Sequence, residues 1–484
     1  MKREWRAAAL AFALATAACG GPAAERPAEV TDEDRAIGAE QHPRLLAEFG
    51  GAYAGRQARY VAAVGGRIAD AAGLEGRCVF TLVNSDVVNA FAVPGCYIYV
   101  TRGLLALVGS EAELASVLGH ELGHIVGRHS QRQQRRSVWR NLGVAAVSLT
   151  GSERLTRLAG QAAQFFGLRY SRKQEYESDD LGLRYLRDAG YDPYAAADML
   201  DALGRQERFT ARAGGLDEAR SIPEWASSHP LAGSRVERAA AAARETGLSD
   251  DQLSERSEPY LREVDGLLFG DDPEQGFVLG RRFAHPVLRI AFDAPPGFTL
   301  TNSPRSILLT GPDGVRGEFG GGAIPDGGLD RYAQALASHI AGRTGGVGAR
   351  SERRTVNGLP AALLRLRVQG PQGEVPVTIA AYDIGGGQAY HFLTLAPPGA
   401  GAGAAAALDA LFGSFRILPA AQAARLRPRV VRTVTVEPGA TVATMAERMA
   451  GGNGRDLFLL INGRGADQPL RPGERVKIVA YAGS

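Results

Sequence analysis

The chain has 484 residues, 45% of them hydrophobic and 22% charged, a composition that excludes a mainly disordered chain and a multi-pass membrane protein. At roughly 150 residues per domain the length predicts about three domains. Lys and Arg number 55 against 52 Asp and Glu, a formal net charge of +3, which leaves no electrostatic footprint for a nucleic-acid partner.

At the start, Lys2, Arg3 and Arg6 precede an apolar run from Ala7 to Ala18. A basic opening, a short apolar core and small residues before a cut site read as a secretory signal. The run is shorter than the about 20 apolar residues that span a bilayer. Its Ala-Ala-Cys ending resembles a bacterial lipoprotein signal, which implies a signal peptide over residues 1–19 and lipidation of Cys19. Thr16 stands where such signals usually carry Leu, and plain secretion is the alternative. In a Gram-negative cell Gly20 would favour the outer membrane. Residues 20–30, rich in Pro, Ala and Glu, read as a tether. The later apolar stretch 141–151 is too short for a span.

Residues 31–248 read as mostly helical, with a β-hairpin inserted at 78–101. Asp32, Glu33 and Asp34 suit the opening turn of a first helix. Cys78 and Cys96 sit on two predicted strands, CVFTLV and CYIYVT. In an oxidising compartment they are able to pair, but two small buried residues is the reading preferred here. A charged connector follows at 249–263. Residues 264–418 then alternate short strand-like runs with Gly and Pro, accompanied by helical stretches at 329–342 and 404–412, which predicts an α+β unit. Residues 429–484 read strand, helix, helix, strand. With Pro438-Gly439 and Pro472-Gly473 at its turns this segment resembles a LysM-type module. That resemblance implies peptidoglycan as a partner, although Ala440-Thr441 replaces the usual Asp-Thr.

The chemistry-bearing stretch is EAELASVLGHELGHIVGRH, residues 111–129. Ala112, Ala115, Leu118, Leu122 and Ile125 recur at helical spacing. His120 and His124 are four apart and share a face, so both rings are able to reach one ion. Imidazole nitrogens suit Zn²⁺, and Glu121 lies where it takes a proton from activated water. Gly119 and Gly123 weaken helix propensity, in exchange for close packing or metal access. A catalytic zinc needs a third protein ligand. On a continued helix His129 lies about 140° from His124 and points away from the metal face, a surface or outer position. The segment 171–186 is also helical and carries Glu175, Glu177, Asp179 and Asp180. Glu175 and Asp179 share a face, which favours Glu175 as ligand and Asp179 as holder of a histidine ring; Glu177 points away.

Three stretches in order, VNAFAVPGCYIYVTRGLL, SEAELASVLGHELGHIVGRH and YSRKQEYESDDLG, resemble the HtpX/BepA-type zinc metallopeptidases, relatives of the CAAX prenyl endopeptidase. The likeness covers about residues 31–240. It implies that His120, His124 and Glu175 bind one Zn²⁺ per chain, that Glu121 is the general base and that Asp179 orients a ligand histidine. It also implies that Asn89, Ala90 and Phe91 begin an edge strand on which an extended substrate adds as a further strand. Cys96 replaces the second Gly of the family's pair. In SSHPLAGSRVERA, His229 and Arg235 match further family positions. Their implied role is stabilising the oxyanion or, for His229, a fourth metal contact that plugs the site; without the family His229-Pro230 reads as an exposed turn.

The expected architecture is multidomain. A mostly α zincin-type metallopeptidase domain with an edge strand (31–248) leads to an α+β domain (264–418) and a small LysM-like βααβ domain (429–484). The expected function is a zinc metalloendopeptidase on the periplasmic side of the cell envelope, lipid-anchored at Cys19 to the outer membrane. Its expected substrates are misfolded or stalled envelope proteins. The alternative is an envelope-tethered chaperone or binding factor with a plugged zinc site.

Overall fold

The computed structural model describes residues 30–132, 170–213, 225, 229, 233–250, 252–344, 347–370, 373–397 and 400–483. The signal, Cys19, nearly all of the tether and the stretch 141–151 lie outside them. Among the described residues no helix is long and apolar enough to cross a membrane.

Helix α1 (Asp32–Glu48) opens as its acidic first turn predicts: Thr31 and Asp34 form a reciprocal capping box. Helix α2 (Arg56–Ala71) buries Val61, Val64, Gly65, Ile68 and Ala69, one helical stripe. Strands β1 (Val79–Val83), β2 (Ala90–Val93) and β3 (Tyr97–Thr101) form a sheet of order β1-β3-β2. The expected hairpin is therefore only β2 and β3; β1 runs parallel to β3, outside it. The parallel register pairs Val79 with Tyr97, which sets the preceding residues, Cys78 and Cys96, side by side. They are disulfide-bonded, with Cα atoms 4.6 Å apart. This corrects the expectation of two unlinked cysteines: the pairing depends on a parallel register that periodicity does not reveal.

Helices α3 (Arg102–Leu107), α4 (Glu111–Val126), α5 (Arg172–Asp188), α6 (Ala195–Ala213), α7 (Gly233–Glu245) and α8 (Ser257–Val264) complete the helical part. Helices α4 and α5 cross along a seam of small residues. A Cβ on Gly123 would lie 2.8 Å from Ser178 Cα, and one on Gly182 would lie 2.9 Å from His120 N. The glycines of α4 thus serve close packing, and the contact brings the acidic face of α5 onto the histidine face of α4.

Strand β4 (Leu268–Phe269) leaves this part. Then come β5 (Phe277–Leu279), β6 (Arg282–His285), β7 (Ile290–Asp293), β8 (Thr299–Asn302), β9 (Ile307–Thr310) and β10 (Arg316–Ala323). Helix α9 (Gly328–Thr344), β11 (Val347–Val356), β12 (Leu359–Gly370), β13 (Gly373–Asp383), β14 (Gln388–Leu395), α10 (Ala402–Ser414) and β15 (Arg416–Ile417) follow. Seven strands make an antiparallel sheet of order β11-β12-β13-β14-β10-β9-β8, and four more the sheet β15-β7-β6-β5. Alternation along β13 explains why both faces of the larger sheet are covered. Ala380 and Tyr382 join one apolar core with Phe292, Phe392 and Phe412, while Ile379 and Ala381 join another with Ala333 and Ile340 of α9.

The last unit is β16 (Arg429–Thr435), α11 (Val442–Glu447), α12 (Gly454–Ile461) and β17 (Arg475–Tyr481), with β16 and β17 antiparallel. Strand β4 adds to β16 as a third strand. Val431, Phe458, Ile478 and Val479 share one buried cluster with Leu104, Leu105 and Leu114 of the helical part. Lys477, 1% exposed, donates from Nζ to the carbonyls of Ala106, Leu107 and Val108 at 2.8, 3.1 and 2.7 Å.

Candidate metal centre

Ser110 caps α4, its Oγ accepting from Glu113 N–H at 3.0 Å. One turn separates His120 from His124, and both rings meet α5. His120 Nε2 lies 3.0 Å from His124 Nε2. Glu175 Oε2 stands 3.7 Å from His120 Nε2, and Glu175 Oε1 stands 3.6 Å from His124 Nε2. His229, before α7, brings Nδ1 to 3.3 Å from His120 Nε2 and 3.1 Å from Glu175 Oε1. One ligand atom from each of these four buried residues lies within 4.8 Å of every other.

Each donor is held from behind. Asp179 Oδ1 is 2.9 Å from His120 Nδ1, which places the ring proton there and turns the Nε2 lone pair inward. Arg235 on α7 reaches Glu175 Oε2 at 2.7 Å and bonds both oxygens of Asp179 at 2.9 and 2.7 Å. Burial raises Glu175 and Asp179, but His120 and Arg235, with His229 for Glu175, outweigh it and hold both carboxyls below their ordinary range. Burial, reinforced by the neighbouring rings, keeps His124 neutral. Converging lone pairs beside a carboxylate suit a divalent cation, and two imidazoles with a carboxylate are a donor set that Zn²⁺ accepts. The residues present therefore fit a metal.

Glu121 differs from the other carboxylates. Burial pushes it up to about 8, opposed by the neighbouring His120 ring and a hydrogen bond from the Ala92 N–H of β2. Its Oε1 is buried without a hydrogen-bond partner among the described residues and lies 3.7 Å from His229 Nε2. A carboxylate poised near neutrality beside a metal site is able to take and return a proton.

The structure thus brings His120, Glu121, His124, Glu175, Asp179, His229 and Arg235 together. His229 is 2% exposed, so it is not the exposed turn its local sequence suggests. Arg235 bonds the two carboxylates and so holds them in position. Among the described residues Asn89, Ala90 and Phe91 make no side-chain hydrogen bond to this centre. Asn89 and Ala90 are fully buried, and Phe91 stacks on Tyr99 with centroids 4.7 Å apart. The part of the strand that meets the centre is the backbone of Ala92, one residue later. The lipidation site Cys19 lies outside the described residues.

Two aromatic neighbours had no sequence signal of their own. Tyr170 stacks on His124 at 3.9 Å, and Trp225 stacks on His229 at 4.3 Å. His129 takes the outer of its two expected positions, behind His124, and for an identifiable reason. The helix stops at Val126, and Arg128 takes a left-handed φ of 48°, which folds His129 back under the helix. Its Nδ1 lies 2.8 Å from His124 Nδ1, and its Nε2 lies 3.3 Å from Glu177 Oε2. Gly127, a common helix punctuator, was the available signal. His129→Ala is expected to weaken metal affinity about 10- to 100-fold, read by competition with a chromogenic zinc chelator; unchanged affinity would show that His129 does not orient His124.

Two histidines and a glutamate from crossed helices, with a second glutamate beside them, define a metallopeptidase-type centre. Residues 55–243 match peptidase family M48, and the chain carries an M48 peptidase domain there. A beta-barrel assembly-enhancing protease of Yersinia pestis is 31% identical over 189 residues, 37% of this chain and 37% of that protein. The mitochondrial metalloendopeptidase OMA1 of Arabidopsis thaliana is 38% identical over 124 residues, 26% of this chain and 25% of that one. OMA1 of Schizosaccharomyces pombe is 35% identical over 162 residues, 32% of this chain and 43% of that one. The matched segment thus spans about a quarter to two fifths of these curated relatives' length. Among solved structures, cyanobacterial PsbP from Synechocystis is 13% identical, with a TM-score of 0.24 over 29% of this chain and 98% of that one.

Proposed function

We propose that the chain is a zinc-dependent endopeptidase acting in quality control of misfolded or stalled proteins of the cell envelope. The observation that carries the reading is the placement of Glu121: buried, and bonded by the edge-strand N–H of Ala92, beside the His120, His124 and Glu175 donors. Zn²⁺ held by those three residues supplies a Lewis acid for the carbonyl and lowers the pKa of water at the site toward 7. Glu121 takes the proton from the attacking water and returns it to the leaving amine. Strand β2, at the edge of its sheet, offers main-chain groups to an extended substrate. Asp179 and Arg235 hold His120 and Glu175 in position.

The name of the beta-barrel assembly-enhancing relatives supports the substrate class, and the signal-like residues 1–19 with the Cys78–Cys96 bond support an extracytoplasmic site. Lipid anchoring at Cys19 to the outer membrane belongs to the same proposal. So does peptidoglycan as a partner, supported by the βααβ order of residues 429–484.

A second reading follows from His229. Its ring lies among the metal donors and is pinned by stacking on Trp225, while the His229 backbone N–H donates to the Trp225 carbonyl at 2.8 Å. A site plugged in this way would serve a binding or chaperone factor. Bound metal and casein cleavage, measured together on protein purified without chelator, decide between them. About one zinc per chain, with cleavage that stops on chelation and returns with zinc, is expected of the peptidase. Zinc without cleavage would support the plugged binding factor, and absence of zinc would overturn the proposed metal centre.

A further inference from the structure

A furrow of about 310 Å³ runs between α6 of the helical part and α12 of the C-terminal unit. Its α6 wall is written at helical spacing. Arg205, Arg208 and Arg212 fall three and four residues apart with Phe209 between them, so all four share one face. Leu459 and Leu460 of α12 form the opposite wall, and Arg464 closes one end.

Besides Asp456, which lines the furrow itself, the four guanidinium groups meet few local acids. Asp201 pairs with Arg205 and stands 3.9 Å from Arg208, and Glu474 pairs with Arg464. Arg212 has no acidic partner among the described residues, and both Arg208 and Arg212 are exposed. The Arg205 side chain is only 26% exposed, and its Nε is buried without an acceptor among the described residues. On an ordinary solvated helix face arginine stems lie along apolar surface while their heads stay in water, whereas Arg205 buries its Nε. Here a half-buried phenyl ring and a half-buried leucine line the same trough as the arginines.

We propose that this furrow binds an acidic, extended polypeptide segment: alternate carboxylates bond to Arg205, Arg208 and Arg212, while the intervening apolar side chain, which points the opposite way, rests on Leu459 and Leu460. The proposal rests on the peptidase reading for its choice of a polypeptide ligand, and it gives that reading a second contact point on the substrate. The dimensions agree. From residue 205 to residue 212 a helix rises about 10 Å, and side chains on one face of an extended peptide recur about every 6.8 Å, so two alternate carboxylates span the stripe. Guanidinium forks bond carboxylates in pairs. A lone phosphate would engage one or two guanidiniums and leave the apolar walls unused.

The test uses the full chain carrying Glu121→Gln, so that binding is read without turnover. A fluorescein-labelled peptide of alternating Asp and Leu is titrated and followed by anisotropy, with an Asn-for-Asp peptide and inorganic phosphate as separate arms. Adding Arg208→Glu and Arg212→Glu is expected to raise Kd at least about tenfold, since charge-assisted bonds are lost and like charges introduced; circular dichroism checks that the fold is kept. Salt is expected to weaken binding, and the Asn peptide to bind poorly. Equal Kd with and without the two Arg substitutions overturns the proposal. So does an Asn peptide that binds as well as the Asp peptide, or phosphate that binds in the furrow while the peptide does not. If wild type cleaves casein but no acidic peptide binds, the furrow fails alone; if the peptide binds but no cleavage is found, the peptidase reading fails alone.

Discussion

Glu121→Gln is expected to lower kcat/KM for casein cleavage by about a thousandfold while leaving bound metal near the wild-type level. The size follows from the loss of a general base, typically about 10²- to 10⁴-fold. The retained metal follows from geometry, because Glu121 is not among the four residues whose ligand atoms converge. Gln keeps the shape and keeps an oxygen for the Ala92 N–H, so a loss of activity reports proton transfer rather than collapse of the site. The wild-type pH profile provides a second check. Glu121 must be ionised to act, so the rate climbs with pH through its titration. Burial holds this carboxyl at about 8 and a neighbouring dication lowers it, so the acid limb is expected at or below about 8 and is expected to vanish from the residual rate of the variant. A variant that keeps most of its activity would remove Glu121 from the mechanism.

Lys477→Met is expected to cost about 3 kcal/mol of stability or more, because three carbonyls lose their buried donor. The ammonium satisfies the last carbonyls of α3 and the one that follows, and each orphaned carbonyl costs about 1–3 kcal/mol by itself. Burial pulls Lys477 down and pushes Glu113 up, each opposed by the other's charge, so removing one leaves the second without compensation. Chemical denaturation followed by tryptophan fluorescence measures the loss. The double variant Glu113→Gln with Lys477→Met is expected to recover part of it, because the uncompensated carboxylate is gone. Unchanged stability in Lys477→Met would mean that the C-terminal unit does not brace the helical part. Ser110, which caps α4, lies two residues beyond the last of these carbonyls, so the zinc-type helix begins where the C-terminal unit grips the chain.

The legible parts of this protein are those whose chemistry is local. His120, Glu121 and His124 share one helix, and Glu175 and Asp179 another, so spacing alone sets each group on a face. Only the contact between the helices was unwritten, and even there Gly119, Gly123 and Gly182 mark the seam. His229 and Arg235 needed family likeness, because a His-Pro pair in a loop carries no periodicity. His129 stands behind His124 and outside the ligand set, as expected, but it gets there because one left-handed residue, Arg128, ends the rotation that the angle assumed. The orientation of Phe91 followed a pleat whose phase the short run Ala90–Val93 does not fix. Lys477 was the least legible: an amphipathic strand near the end of the chain reads as self-contained, whereas its lysine seals a helix about 370 positions earlier.

The Cys78–Cys96 bond does more than join two strands. The residues between them, 18 positions apart, include the whole of β2, so the strand whose backbone meets Glu121 lies inside a covalent ring. A ring of that size removes about 3 kcal/mol of chain freedom from the unfolded state. It also limits how far the strand is able to fray before a substrate arrives, which lowers the ordering cost of docking. Thiol reductants would open the ring without touching a metal donor, and the strand would then be free to sample more shapes. Under the proposed docking of an extended polypeptide on this edge, its affinity would in that sense be coupled to the oxidation state of the surrounding medium.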